Sequence, residues 1–233
     1  MGVIKLEGCF SQFDTDETKL LRKNLVDYLY SVYAPRELKN QEVRRALLEV
    51  PRHVFIPWHD SKRAYMNTAL PSVDGQTISQ PYIVALMTEL IMPLDGKKVL
   101  EIGTGTGYQT ALIAHLGAEV YSIEINEKLH RHAARILEEL CSSFSWKHCP
   151  KLYLGDGSAG LPEEAPFDRI IVTAAAPEFP ETLYRQLKKG GIMVVPVGSR
   201  DHQNLYRIFK AGKPEIESHG GVIFVPLKGE KGF

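Results

Sequence analysis

The chain has 233 residues, 44% of them hydrophobic, which suits one large domain with a sizeable core. Lys plus Arg and Asp plus Glu number 28 each, so no global charge draws the protein to nucleic acid or to an anionic membrane. No apolar run approaches the roughly 18 residues of a membrane span, and no basic, apolar and small-residue leader opens the chain. Three cysteines (Cys9, Cys141, Cys149) are too few for a secreted disulfide framework, so a cytoplasmic setting is expected.

In chain order, Asp14 or Thr15 caps a predicted helix in which Leu21, Leu25, Leu29 and Val32 recur at helical spacing. A second helix begins after Asn40, places Val43, Ala46, Leu47 and Val50 on one face, and stops at Pro51. Both are amphipathic and need a surface to cover. Residues 52–57 form a turn and an irregular connection. His53 and His59 are read as structural or exposed, because no partner spacing supports them. Residues 64–86, AYMNTALPSVDGQTISQPYIVAL, make a long polar loop with Pro71, Asp74 and Gly75 as turn formers. A helix follows, entered through Ser79-Gln80-Pro81. Ser79 has two accounts here: an N-cap just ahead of a first-turn proline, or a functional hydroxyl on a loop long enough to carry function. No G-x-S-x-G elbow surrounds it, so a covalent serine nucleophile is rejected.

The stretch from Val99 to Ile125 organises the chain. An apolar strand (Val99, Leu100, Ile102) leads into the glycine turn Gly103, Gly105 and Gly107. A helix from about Tyr108 to His115 follows, then a strand from Val120 to Ile123 ending on Glu124. Such a βαβ half lets the backbone approach a ligand, and an acid roughly 20 residues past the first glycine suits a ribose diol. A dinucleotide fingerprint would put its third glycine at position 108, where this chain has Tyr108. Glu101, two residues before the turn, would oppose a pyrophosphate. The spacing and charge therefore point to a nucleoside without phosphate that carries an amino-acid end.

Beyond this half, Asn126 caps a helix bearing Leu129, Ala133, Ile136, Leu137 and Leu140. Strands are expected at Lys151–Leu154, Phe167–Thr173 and Ile192–Val197, with a helix from Pro180 to about Lys189 ended by Gly190-Gly191. Two more strands, 204–209 and 221–226, are joined by a Gly-Lys-Pro turn. Strands alternating with helices imply an α/β, doubly wound parallel sheet, and the terminal pair implies an antiparallel edge. Ligands in such sheets lie beyond the carboxyl ends of the strands, which gathers Gly103 to Tyr108, Glu124 and Asp156 at one rim. Asp156, in a glycine-flanked turn, either accepts from an adenine amine or serves as a turn former. Cys141, His148 and Cys149 lack metal-ligand pairing, so local packing is expected; a Cys141–Cys149 disulfide is an alternative that nothing in the sequence supports.

Five segments then resemble one family: Gly75–Ile91 with its T-I-S-Q-P core, Val99–Ala111, Gly155–Pro177, Leu187–Gly198, and the F-V-P-L-K-G ending at Phe224–Gly229. Together they are similar to protein-L-isoaspartate O-methyltransferases, over most of the chain from Arg52 onward. The resemblance implies a Rossmann-like methyltransferase sheet with helices on both faces, preceded by an N-terminal helical segment. It divides one compact unit into residues 1–76 (helical segment and substrate loop), 77–200 (S-adenosylmethionine-binding core) and 201–233 (strands completing the sheet). It implies methyl transfer from S-adenosyl-L-methionine to the free α-carboxylate of L-isoaspartyl residues in damaged proteins and peptides. Neither nucleic acid, membrane nor metal takes part, and a monomer is expected. Carried over by position, Ser79 is the active-site serine, Asn67, Thr77 and Gln80 lie toward the substrate, and Ile78 packs. Glu101, Gly103, Thr104, Gly105, Gly107, Tyr108, Glu124, Asp156 and Gly157 form the cofactor set, with Glu124 on the ribose and Asp156 on the adenine. Family members usually carry an acid where this chain has Asn67, and a P-I-G turn where it has Pro71-Ser72-Val73-Asp74. Two rivals remain: a methyltransferase of this fold acting on a small molecule or RNA, and a binding module that retains the nucleoside pocket without turnover.

Overall fold

The computed structural model describes residues 14–34, 36–56 and 61–233. His59, Pro57 and Cys9 of the sequence reading lie outside them. The front of the chain forms α1 (Asp16–Val32) and α2 (Gln41–Glu49). Thr15 accepts the Thr18 N–H as N-cap of α1, which frees Asp14 for a paired bond to the Arg22 guanidinium at 2.9 Å. Asn40 caps α2 through its side-chain oxygen. A 3₁₀ turn, Arg52–Phe55, and the short α3 (Ser61–Ala64) follow. Both histidine expectations reduce to His53, which is buried with Nδ1 2.8 Å from the Tyr65 hydroxyl.

The predicted loop after α3 is partly ordered as a small hairpin. β1 (Leu70–Pro71) pairs antiparallel with β2 (Thr77–Ile78), and α4 (Pro81–Ile91) begins at the proline. At the hairpin tip Asp74 adopts φ 52° and bonds Lys128 Nζ at 3.0 Å. The βαβ half appears as β3 (Lys98–Ile102), α5 (Tyr108–His115) and β4 (Glu119–Glu124), and α6 (Glu127–Phe144) follows under its Asn126 cap. β5 (Lys151–Leu154), β6 (Phe167–Val172), α7 (Glu181–Gln186), β7 (Leu187–Gly198), β8 (Gln203–Lys210) and β9 (Pro214–Val222) complete the chain.

Seven strands form one sheet in the order β5-β4-β3-β6-β7-β8-β9. The first five are parallel, and β8 and β9 add the antiparallel edge. Side chains alternate across the strands. Val99, Val120 and Ile171 pack with α4, α5 and α6 on one face, and the N-terminal helices extend this core. Leu100, Ile123, Ile170 and Val172 pack on the other face with Leu183 of α7 and Leu161.

Two boundaries and one covalent link add to or differ from the sequence reading. α7 ends at Gln186, not Lys189, because Leu187 is buried and already pairs with Phe167; the register then shifts before Ile192 meets Arg169. β9 starts directly after the Gly-Lys-Pro turn, at Pro214 instead of 221. Its exposed, charge-rich face lacks the alternation that marks a half-buried strand, and backbone pairing at the sheet edge defines it. Residues 224–226 instead cross the rim, where Ala175 and Pro226 form an isolated bridge. Finally, Cys141 and Cys149 are joined by a disulfide, with Cα atoms 5.5 Å apart. Ser145 ends α6 in the left-handed region and turns the chain back toward Cys141, a reversal that Cys spacing alone did not reveal.

Candidate active site

The order of strands reverses between β3 and β6, where neighbouring crossovers run in opposite directions and leave a crevice at the strand ends. The glycine turn sits there. Gly103 and Thr104 donate their N–H groups to Ile123 O at 2.8 and 3.2 Å, so the turn is clamped to the end of β4. Gly103 has φ +93°, and a Cβ on it would lie 2.5 Å from Thr173 Oγ1. The Thr173 hydroxyl donates to the carbonyls of Ile102 and Gly103, at 3.0 and 2.6 Å. Only glycine fits that approach. Gly105 (φ +57°) differs: nothing lies within 4 Å of where its Cβ would stand, so its backbone faces open space.

That space is an open-mouthed cleft of about 970 Å³. Gly103, Thr104, Gly105, Tyr108, Glu124 and Gly157 of the predicted cofactor set line it. Glu124, at the end of β4, is 6% exposed. Its Oε2 accepts the Gly105 N–H at 2.7 Å and its Oε1 the Asn126 N–H at 2.8 Å. A carboxylate offers about four acceptor positions, so each oxygen keeps one for a ligand. Ile125, beside it, is an apolar side chain left 47% exposed on the cleft wall.

Of the other predicted members, Gly107 and Glu101 stand behind the cleft wall, while Asp156 is exposed beside Gly157 of the lining. Gly107 is the N-cap of α5, with Ala133 and Leu137 against it. Glu101 is fully buried beneath the turn; its Oε2 accepts the hydroxyls of Thr110 and Ser122, and Ser122 also bonds Thr104 at 2.6 Å. Its Oε1 has no partner among the described residues. Burial pushes its pKa up to about 7 against the bonds from Ser122 and Thr110, so it is no fixed negative charge facing a ligand. The exclusion of a pyrophosphate therefore rests on Glu124 and on Tyr108 in place of the third glycine. Asp156 is turned to the C-terminal segment, its two oxygens accepting the N–H groups of Ser158 and Glu230 at 2.8 Å each. Those bonds outweigh its burial and hold its pKa below the usual carboxylate value.

A second cavity adjoins the first, and Thr77, Ser79, Thr173 and Val225 line both. Ser79 is not the N-cap that its position suggested: Gln80 occupies that place and makes no side-chain capping bond. The Ser79 carbonyl accepts from Arg52 Nη2 at 2.8 Å, and its hydroxyl has no partner among the described residues. The start of α4 is satisfied from elsewhere. Asn67 Oδ1 accepts the Tyr82 N–H at 3.0 Å, and the Asn67 carbonyl accepts from Gln80 Nε2 at 3.0 Å. Thus Thr77, Ser79 and Gln80 line the second cavity, while Asn67 ties its loop to the helix from behind.

Sequence reasoning missed several lining residues. Thr173 follows β6 and is needed by the same turn that marks Gly103, but a lone threonine carries no spacing signal. Gln76 and Asn126 also line the cleft. Val225 to Lys228 close it from the C-terminal side; the F-V-P-L-K-G segment was conspicuous but had been given no site role.

Comparison with known proteins agrees with this arrangement. The family model for protein-L-isoaspartate(D-aspartate) O-methyltransferase matches residues 22–232. A Dictyoglomus thermophilum protein-L-isoaspartate O-methyltransferase is 49% identical over 225 residues, 96% of this chain and 98% of that protein. One from Methanopyrus kandleri is 44% identical, over 91% of this chain and 93% of its own. A solved protein-L-isoaspartate O-methyltransferase superposes with a TM-score of 0.79 at 30% identity, covering 91% of this chain and 67% of the other. A Plasmodium falciparum structure described by the same activity, in complex with S-adenosyl-L-homocysteine, gives 0.77 at 25% identity over 89% and 98%. With the family model matched over residues 22–232 and relatives of 44–49% identity matched over nearly their whole length, the chain belongs to the protein-L-isoaspartate(D-aspartate) O-methyltransferase family.

Proposed function

We propose that the two cavities together carry methyl transfer from S-adenosyl-L-methionine to the free α-carboxylate of L-isoaspartyl residues in damaged proteins and peptides. The observation that carries this reading is the shared wall. Thr77, Ser79 and Thr173 border both cavities, so a donor in one and an acceptor in the other would meet at a row of hydroxyls. S-adenosylmethionine supplies an electrophilic methyl group on a sulfonium, with S-adenosylhomocysteine as the leaving product. The first cavity fits such a nucleoside: open backbone at Gly105, spare acceptor positions on Glu124 and an apolar face at Ile125. Gly103, Thr104, Gly105, Tyr108, Glu124 and Gly157 would hold it directly. Glu101 and Gly107 act one layer back, by fixing the turn and the start of α5, and Asp156, exposed and with one acceptor position left on each oxygen, would take the adenine amine.

The second cavity holds the peptide. Among the described residues its wall includes no Asp, Glu, Lys or Arg. An isoaspartyl α-carboxylate, with a pKa of about 3.5, is already ionised at neutral pH, so no base is needed. What the residues must do is align one oxygen and keep water away. The Ser79 hydroxyl, without an internal partner, donates to that oxygen, and Thr77 lies beside it. Gln80 and Asn67 keep the segment in place. The methyl ester then cyclises to a succinimide whose hydrolysis returns some normal aspartyl linkage, which makes the activity one of protein repair. We expect it in the cytoplasm, on protein and not on nucleic acid or lipid. No helix among the described residues is long and apolar enough to cross a membrane.

The test is incubation with methyl-labelled S-adenosylmethionine and a peptide pair differing only in an isoaspartyl or aspartyl linkage. Base-labile label on the isoaspartyl member alone is expected, with Ser79→Ala slowing turnover by roughly 10–1000-fold while cofactor affinity holds. Equal labelling of both peptides, base-stable label, or binding without transfer would each reject the proposal.

A further inference from the structure

Arg52 is fully withdrawn from solvent on the 3₁₀ turn after α2. A buried guanidinium without a counter-charge costs several kcal/mol unless its donors are met, and an apolar side chain could fill the same space. Its partners among the described residues are two carbonyls and a ring. Nε donates to Ala64 O at 3.0 Å, Nη2 donates to Ser79 O at 2.8 Å, and Cζ lies 5.1 Å from the centroid of the Tyr108 ring. Nη1 has no partner. Burial lowers its pKa to about 10, which leaves it charged at neutral pH.

The three partners are far apart in sequence and near one another in function. Ala64 and Ser79 are the two ends of the substrate loop. Tyr108 is the first residue of α5, directly after the glycine turn, and lines the cofactor cleft. The turn that carries Arg52 is itself braced: His53 Nδ1 meets the Tyr65 hydroxyl, and Arg22 donates to that hydroxyl, to Leu48 O and to Asp14. A planar fork can hold two carbonyls and lie on a ring at once, which an ammonium cannot.

We propose that Arg52 is a positioning residue for methyl transfer: it gathers both ends of loop 64–79 onto Tyr108 and so sets where the Ser79 hydroxyl stands relative to the glycine turn. This rests on the role given to Ser79 above.

A double-mutant cycle separates the two. The wild type, Arg52→Lys, Ser79→Ala and the double variant are compared by kcat, by KM for an isoaspartyl peptide, by affinity for S-adenosylhomocysteine and by melting temperature. Arg52→Lys keeps the charge and is expected to lower kcat by roughly 10–100-fold, the effect of a small misplacement of a reacting group, with cofactor affinity unchanged. The double variant should turn over no more slowly than Ser79→Ala, to within about twofold. A merely structural arginine would lower stability and cofactor affinity without that dependence on Ser79. Unchanged kcat in Arg52→Lys, or fully multiplicative losses in the double variant, overturns the inference and leaves the Ser79 role standing. Full kcat in Ser79→Ala overturns the Ser79 role and with it the route through which Arg52 acts. If Arg52→Lys binds less than one equivalent of S-adenosylhomocysteine, the intact side chain is followed by NMR in the wild type. Solvent exchange of the Arg52 N–H protons should slow when an unreactive isoaspartyl analogue joins S-adenosylhomocysteine, and unchanged exchange overturns the inference.

Discussion

Glu124→Gln tests the nucleoside cleft more sharply than removal of the side chain, because it keeps the shape and changes only what the oxygens can do. Both carboxylate oxygens accept backbone N–H groups, from Gly105 at 2.7 Å and Asn126 at 2.8 Å. An amide must present its NH₂ to one of them, setting donor against donor. That leaves one nearly buried N–H unmet, at about 1–3 kcal/mol, and the surviving bond loses the strengthening that an ionised acceptor gives. The expected loss of folding stability in urea is therefore about 2–4 kcal/mol. A ribose diol would also lose an ionised acceptor, worth about 1.5–3 kcal/mol, or roughly 10–150-fold in affinity. Calorimetric titration with S-adenosylhomocysteine measures this directly. Unfolding with and without a fixed excess of the ligand gives a second readout, because the stabilisation it confers shrinks with its affinity. Wild-type affinity in a folded Glu124→Gln protein would mean that the adenosine lies elsewhere and would refute the assignment.

The other predictions concern the groups around that cleft. Glu101 rises from an ordinary 4.5 to about 7 on folding, so between these pH values the folded chain keeps a proton that the unfolded chain releases. Its contribution to stability should fall by roughly 3 kcal/mol as pH rises through that window and stay flat on either side; Glu101→Gln should remove this slope in urea titrations at pH 4.5 and 7.5, and an unchanged slope would contradict it. Asn67→Asp should leave stability and turnover near wild type, since a carboxylate accepts the Tyr82 N–H equally well beside a helix N-terminus, whereas Asn67→Ala should cost about 1 kcal/mol and slow transfer. Reduction of the Cys141–Cys149 disulfide opens a loop of sequence separation 8, with an expected loss of about 2.5 kcal/mol and no change in kcat at temperatures below melting; a fall in kcat would tie that end of α6 to the site.

The parts of the fold that were legible in the sequence are those where local chemistry and global position agree. The G-x-G-x-G turn, the apolar runs of β3 and β6 and the Asn126 cap all stand where spacing put them, because each is dictated by short-range sterics or burial. The boundaries that moved were settled by pairing with distant chain. Leu187 joins the sheet through Phe167, although Lys188 to Gly191 read as the end of a helix, and β9 exists through its ladder to β8, not through its own side chains. At the site the same division holds. Glu124 was legible as an acid at the end of a strand. The buried place of Glu101 and the backbone partners of Asp156 were not, because which way a carboxylate turns depends on N–H and O–H donors elsewhere: Ser122 and Thr110 for the first, Ser158 and Glu230 for the second. Asn67 looked like a departure from the family pattern. In three dimensions it is an acceptor for a helix end, a task that an amide oxygen and a carboxylate share.

The distribution of charge between the two cavities accounts for the choice of acceptor. The nucleoside cleft has its acid, Glu124, at the end of β4, on the other side of β3 from the strand that leads to Thr173, and its described lining includes no other carboxylate. The peptide cavity has none. A carboxylate beside Ser79 would repel the incoming nucleophile and favour its protonated, unreactive form. A lysine or arginine there would hold the nucleophile as a tight ion pair, adding to ground-state binding that transfer must then undo. Neutral hydroxyl donors avoid both penalties, since they orient an anion without neutralising it. The exposed Ile223 on this wall, 81% accessible, suits the apolar side chains that flank a residue within a polypeptide.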